Sequence, residues 1–207
     1  RSGQPARRIS DAPAARLYKN IMPTSDCIET NVLIIGCGIA GATAALQLAE
    51  AGLKVTVVPR AVAPSDSNTH WAQGGIIYKG YDDSPELLAE EIERAGAGLC
   101  NPRAVKILAE EGPALIDRIL IQKVGVQFDH APEGGLALAR EGGHSIPRIA
   151  HAADATGPAI TAALLAAVRA QPNVQLLTGC TAIDLLTPSH HSRRRLTLYN
   201  PQSCVGA

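Results

Sequence analysis

A chain of 207 residues, 46% apolar but only 3% aromatic and holding 19 glycines, must build its interior mainly from Ala, Leu, Ile and Val, which suits closely packed helix-on-sheet layers better than an aromatic-rich β sandwich. Nineteen basic residues against nineteen acidic ones leave no net charge to recruit nucleic acid or an anionic membrane, and no apolar run approaches the roughly 20 residues that cross a bilayer. Five scattered cysteines (Cys27, Cys37, Cys100, Cys180, Cys204) include no CxxC pair, which argues for reduced thiols in a cytosol-like compartment and against a disulfide framework or a metal site.

Residues 1–21 carry Arg1, Arg7, Arg8, Arg16 and Lys19 against one acid, Asp11, without hydrophobic periodicity. Residues 1–27 therefore read as a flexible segment. It is either part of an organelle transit peptide or sequence lying upstream of a start at Met22, and its poverty in serine favours the second. Residues 31–35 form a short apolar run ended by glycine, as in a buried parallel strand. Residues 39–51, rich in Ala and Leu and closed by Gly52, predict a helix. Residues 54–58 are β-branched and end at Pro59, a second strand. Strand, helix and strand together make a right-handed βαβ unit.

Residues 59–83 predict a long functional loop. Ser84, Pro85 and Glu86 open a helix running to about residue 95. Pro102 opens another, interrupted at Gly112-Pro113 and ending near Gly125. Residues 126–148 hold short strand-like pieces. A clear helix follows over 156–170, with Thr156 as its N-cap and His151 and Asp154 fixing its start. Residues 174–177, 182–186 and 195–199 predict strands, the last after a polar hairpin-like stretch over 187–194. The chain stops at Ala207 without a helix cap or polar tail, so residues 28–207 read as one domain incomplete at its C-terminal end. His130, His190 and His191 carry no motif and read as surface residues.

Gly36-Cys37-Gly38-Ile39-Ala40-Gly41 matches G-x-G-x-x-G between the first strand and helix. The first glycine permits the sharp turn, the second lets backbone approach a pyrophosphate, and the third lets helix pack on strand. The helix start offers free N–H groups and a positive dipole end to phosphates. Cys37 reads as small filler in this loop. Where an acid usually binds the adenosine ribose, after the second strand, stands Pro59-Arg60, which weakens the case for NAD. Arg60 either lies over the adenine or ribose or faces water.

Ser67-Asn68-Thr69-His70-Trp71-Ala72-Gln73-Gly74-Gly75 gathers hydroxyls, amides and flexible backbone in one loop. It is either a ligand-contacting loop or a surface loop with a packed Trp. With the βαβ unit upstream, it resembles the flavin-contacting loop of the succinate dehydrogenase, fumarate reductase and L-aspartate oxidase superfamily. Arg140-Glu141-Gly142-Gly143-His144-Ser145 and His151-Ala152-Ala153-Asp154-Ala155-Thr156-Gly157 resemble segments of the L-aspartate oxidases, as does Ala95-Gly96-Ala97-Gly98-Leu99-Cys100. The resemblance runs from about residue 32 to about residue 186, with the motifs in the family's order.

The resemblance implies an α/β, Rossmann-like FAD-binding domain that stops before the family's capping and helical C-terminal domains. Gly36 to Gly41, Arg60 and Asn68 to Gly75 are the implied cofactor-binding residues. Respiratory relatives attach FAD through a histidine in this loop. That position aligns with Asn68, so the resemblance implies non-covalent FAD, although His70 lies two residues away. The implied reaction oxidises L-aspartate to iminoaspartate, with O2 (giving H2O2) or fumarate as acceptor, at the head of quinolinate and NAD synthesis, and quinolinate synthase is a candidate recipient of the product. Glu141 is the implied catalytic residue, pairing with the substrate ammonium or taking its proton; the plain alternative is a solvated glutamate. Arg140, His144 and Arg148 are candidate carboxylate partners or structural hydrogen-bonders. The compartment is cytoplasmic, or a plastid if residues 1–21 are a transit segment. The other readings are a soluble fumarate reductase or succinate dehydrogenase-type flavoprotein, disfavoured by Asn68 and Glu141, and a non-catalytic FAD-binding remnant.

Overall fold

A computed structural model of the chain describes residues 27–187 and 203–207. Four-residue runs of apolar or β-branched side chains form β1 (Val32–Ile35) and β2 (Val55–Val58), which pair in parallel from Val32 opposite Val55 to Ile35 opposite Val58. The third strand, β6 (Val174–Leu176), lies on the other side of β2, also parallel. Central position explains burial: Val55, Thr56 and Val57 of β2 are at most 2% exposed, whereas Ile35 on the edge strand β1 is 54% exposed.

Between β1 and β2 runs α1 (Ile39–Glu50), which buries Ala42, Ala45, Leu46 and Ala49. Three of those four are alanines, and a small-residue stripe lets the helix axis come close to its neighbours. It packs against α4 (Thr156–Arg169), whose Ile160, Leu164, Leu165 and Val168 complete the core with Ile119, Leu120, Val126 and Phe128. Burial of each such side chain contributes about 1.5–3 kcal/mol.

A second, smaller sheet has β5 (Ile149–Ala150) between β3 (Ile76–Ile77) and β4 (Leu138–Ala139), all antiparallel. The expected long loop over 59–83 thus contains β3. Beside this sheet stand α2 (Pro85–Ala95) and α3 (Pro102–Leu115), packed on each other. Both helix starts are capped by side chains, and Asn101 was not singled out in the sequence. Ser84 Oγ accepts the Leu87 N–H at 3.1 Å, and Asn101 Oδ1 accepts those of Arg103 and Ala104 at 3.0 and 3.3 Å.

Three expectations are corrected. Gly112-Pro113 does not interrupt the helix: α3 runs through it and passes into π-helix over Ile116–Lys123, ending with the Val124 N–H on the Ile119 carbonyl at 3.0 Å. A proline inside a helix removes one i→i−4 bond and crowds the preceding turn, which a wider register downstream accommodates. Thr156 does not cap α4 but is its first residue; its Oγ1 reaches back to accept the Ala152 N–H at 3.0 Å. Residues 182–186 form no strand, only a single bridge from Leu186 to Gly206. His151 acts on the approach to α4 through Asp129, which sits 3.0 Å from its Nδ1 and accepts the Ala153 N–H at 2.8 Å, while Asp154 is exposed. His190, His191, the strand expected over 195–199 and nearly all of the hairpin over 187–194 lie outside the described residues, as do residues 1–26. Among the described residues no helix is long and apolar enough to cross a membrane.

Candidate functional site

The site lies at the carboxyl ends of β1 and β2, where open parallel α/β sheets leave their ligand crevice. Gly36 follows β1 with φ +100°, a left-handed conformation that strains any residue with a Cβ. A Cβ on Gly41 would overlap the Gly36 carbonyl oxygen, so the third glycine of the motif is what lets α1 start against the strand. Gly38 is the N-cap of α1, with no side chain to occupy the free N–H groups and no acid in the first turn. That leaves the positive end of the helix for an external anion.

A cleft of about 310 Å³ opens there, within the range of small-molecule sites. Gly36, Cys37 and Gly38 form one wall, Pro59, Arg60, Ala61 and Pro64 another, and Asp66, Ser67, Asn68 and Thr69 a third. Arg60 and Asn68 are exposed to the cleft mouth. Cys37 is 5% exposed, and burial pushes its thiol pKa up against a smaller opposing pull from Arg169. A buried thiol whose pKa is raised makes a poor nucleophile.

Thr69 ties the second loop to the first: its Oγ1 accepts the Ile39 N–H at 2.9 Å, capping α1 from outside. The 67–72 turn is held by the His70 N–H on the Ser67 carbonyl at 3.0 Å and the Ala72 N–H on the Thr69 carbonyl at 3.3 Å. The loop lies directly on the first turn of α4, where the Gly157 N–H reaches the Ala72 carbonyl at 3.1 Å. Trp71 is not packed. It is 71% exposed, with its Nε1–H donated to Asp66 at 3.0 Å and its ring edge-on to His70.

Glu141 comes to the far end of this loop. A Cβ built on Gly74 would lie 3.2 Å from its Oε1 and 3.5 Å from its Oε2, so the carboxylate lies beside Gly74, both residues remaining exposed. Arg140 beside it is exposed. His144 turns inward, its Nδ1 3.3 Å from Glu91 Oε2, and the Ser145 N–H donates to Glu91 Oε1 at 2.8 Å. Arg148 is fully buried, with Nη2 3.1 Å from Asp83 and 3.2 Å from Glu91. Arg148 is thus paired with two carboxylates that are themselves buried. Burial acts to raise the Glu91 carboxyl, but the Ser145 hydroxyl and amide, the Arg148 guanidinium and the His144 ring outweigh it and hold the group below its ordinary value.

Sequence reasoning overlooked Asp66, Pro64, Asp83 and Glu91. A signal for Glu91 existed: with Leu88 three residues before it and Ile92 beside it, it sits on the apolar stripe of α2, where a carboxylate must be paired.

The FAD binding domain family matches residues 31–207. This chain belongs to that family. Among relatives, the L-aspartate oxidase of Streptomyces coelicolor is 44% identical over 174 residues, covering 83% of this chain and 29% of that protein. The chloroplastic L-aspartate oxidase of Arabidopsis thaliana is 38% identical over 187 residues, covering 90% and 26%. Among solved structures, a quinol fumarate reductase FrdA variant from E. coli superposes with a TM-score of 0.70 at 26% identity, covering 77% of this chain and 27% of that one. The chain thus spans about a quarter to a third of its relatives' length.

The FAD binding domain assignment fits the geometry. A dinucleotide needs backbone that can approach its phosphates, and the Gly36–Gly38 wall provides it beside the positive end of α1, whose Ile39 N–H is already taken by Thr69. The cofactor is FAD. Of the residues expected to hold it, Gly36, Cys37, Gly38, Arg60, Asn68 and Thr69 line the cleft, while Ile39, Ala40, Gly41 and residues 70–75 do not.

Proposed function

We propose that this chain is the FAD-binding part of an L-aspartate oxidase, which oxidises L-aspartate to iminoaspartate with O2 (giving H2O2) or fumarate as acceptor. Residues 28–207 form the cofactor domain and residues 1–27 a segment ahead of it. One observation carries the reading beyond FAD binding: a carboxylate, Glu141, lies against Gly74 in the flavin-contacting loop. The identities of 38–44% to proteins named L-aspartate oxidase support the same assignment.

Oxidation of an amino acid removes the Cα hydrogen with its electron pair and a proton from the ammonium group. FAD, when bound, supplies the two-electron acceptor. Glu141 supplies what a dicarboxylate lacking nitrogen does not need, a negative partner that holds the ammonium and receives its proton. Arg140, exposed beside it, attracts a substrate carboxylate, and the Nε2 side of His144 offers a second polar contact. Asn68 has no imidazole with which to form a covalent link, which supports FAD held non-covalently. Iminoaspartate then passes to quinolinate and NAD synthesis, with quinolinate synthase as the recipient. The compartment is the cytoplasm; the chloroplastic location of the Arabidopsis relative raises a plastid as the alternative.

The test is the flavin spectrum of the full-length protein, recorded anaerobically. L-Aspartate should bleach the flavin band and succinate should not. Glu141→Gln should slow bleaching by aspartate by about 100-fold or more, in the range attributed to a positioned acid–base group, with a smaller loss of fumarate reduction. Bleaching by succinate alone would transfer the protein to the dehydrogenase group. Equal loss of both activities in the variant would remove Glu141 from its role.

A further inference from the structure

Glu91 is 2% exposed and belongs to α2, a helix that contributes nothing to the cleft lining. Burying a carboxylate costs several kcal/mol unless its charge and lone pairs are met. Here they are met almost wholly by the segment that bears Glu141. Oε1 accepts the Ser145 N–H at 2.8 Å, four residues beyond Glu141, and Oε2 faces His144 Nδ1 at 3.3 Å. Arg148, three residues further on, places Nη2 3.2 Å from the same Oε2 and 3.1 Å from Asp83 Oδ1. Asp83 in turn accepts the Gly80 and Ser84 N–H groups at 3.0 and 2.9 Å, fixing it at the start of α2.

Glu141 itself, together with Gly142 and Gly143, is exposed, and Gly143 has φ +89°. Two adjacent glycines give this turn little stiffness of its own. Its position against Gly74 must come from its anchors: the β4–β5 pairing on either side of the 140–148 connection, and the bonds to Glu91 within it.

We propose that Glu91 is a positioning residue for the amino-acid site: from α2 it clamps Ser145 and His144, and so holds the Glu141 carboxylate against the Gly74 backbone where a substrate ammonium is received. This rests on the aspartate-oxidising reading for its effect on specificity, but not for the clamp itself. Arg148 and Asp83 complete the clamp by holding Glu91 charged and in place. The role differs from mere core stability in one respect. Loss of the clamp releases the element that distinguishes amino acids from plain dicarboxylates while leaving the Gly36–Gly41 cradle and the 67–72 turn intact.

The experiment uses the full-length protein with Glu91→Gln and Glu91→Ala. Hydrogen exchange of the 141–146 amides, measured without substrate, reads the clamp directly. Aspartate oxidation and fumarate reduction, measured in parallel, read its consequence. Glu91→Ala should speed exchange in this segment about tenfold or more and raise the KM for aspartate by a similar factor, with fumarate reduction changed about twofold at most. Glu91→Gln, which keeps an oxygen for the Ser145 N–H but makes that bond neutral and roughly half as strong, should fall between Glu91→Ala and the parent in both readings. It also serves as the test if the alanine variant does not fold. Unchanged exchange over 141–146 in Glu91→Gln would overturn the clamp, as would loss of both activities in equal proportion. If the parent protein oxidises no aspartate, the functional reading fails while the exchange measurement still decides the clamp.

Discussion

Gly157 shows how much of the site depends on single atoms. A Cβ there would overlap the Thr69 carbonyl oxygen and lie 2.6 and 2.9 Å from those of Ala72 and His70. The 67–72 turn rests directly on the first turn of α4, so Gly157→Ala must lift it. Overpacking of this kind costs about 1–3 kcal/mol, and the lifted turn carries Thr69 away from the Ile39 N–H. The variant should melt several degrees lower and bind FAD more weakly, as titration of flavin fluorescence would read. An unchanged FAD affinity would mean that the turn and the cradle are not coupled. The glycine cradle was legible in the sequence because its chemistry is local: Gly41 answers to Gly36, five positions away. The partners of Glu91 were not. They lie 53 and 54 residues along the chain, and no short-range pattern pairs a helix glutamate with a histidine and an amide at that distance.

At the scale of elements, the βαβ start, α2, the start of α3 and α4 were all readable from periodicity, caps and glycine stops, because propensity and burial agree there. The π-helical turn after α3 was not. Pro113 signals a disturbance but not which way the chain resolves it, since an ending and a widened register both relieve the same missing bond. The small second sheet was only partly readable, because strands of two residues give too short an alternation. The link between α2 and this sheet carries a pH dependence. Glu91 has its carboxyl held below the ordinary 4.5 in the folded protein. A depressed folded value means that its bonds contribute their full stability above the unfolded pKa and lose it as pH falls through the folded one. The parent should therefore melt higher than Glu91→Gln at pH 6, with the difference shrinking as pH drops from about 5 towards 3. A gap in melting temperature that stays constant over this range would show that the charge of Glu91 contributes nothing.

For the molecule as a whole, one crevice serves two kinds of recognition. The parallel sheet and α1 present backbone and a helix dipole to the phosphates, which is sequence-tolerant chemistry. Under the proposed function, the loops above it present the side chains that choose how the flavin is held and what is oxidised. Attachment of the flavin is decided among the second group. Asn68 lines the cleft and is exposed, but an amide nitrogen is not a nucleophile. His70 is the one imidazole of the 67–75 loop; it is half-buried, its backbone N–H is held by Ser67, and its ring stands edge-on to Trp71. Under the non-covalent reading proposed above, neither residue attaches the flavin. Acid precipitation of the full-length protein should then release all of its flavin, leaving a colourless pellet, and His70→Ala should not change the released fraction. Yellow colour that stays with the pellet and disappears in His70→Ala would assign the attachment to His70 and overturn the non-covalent reading.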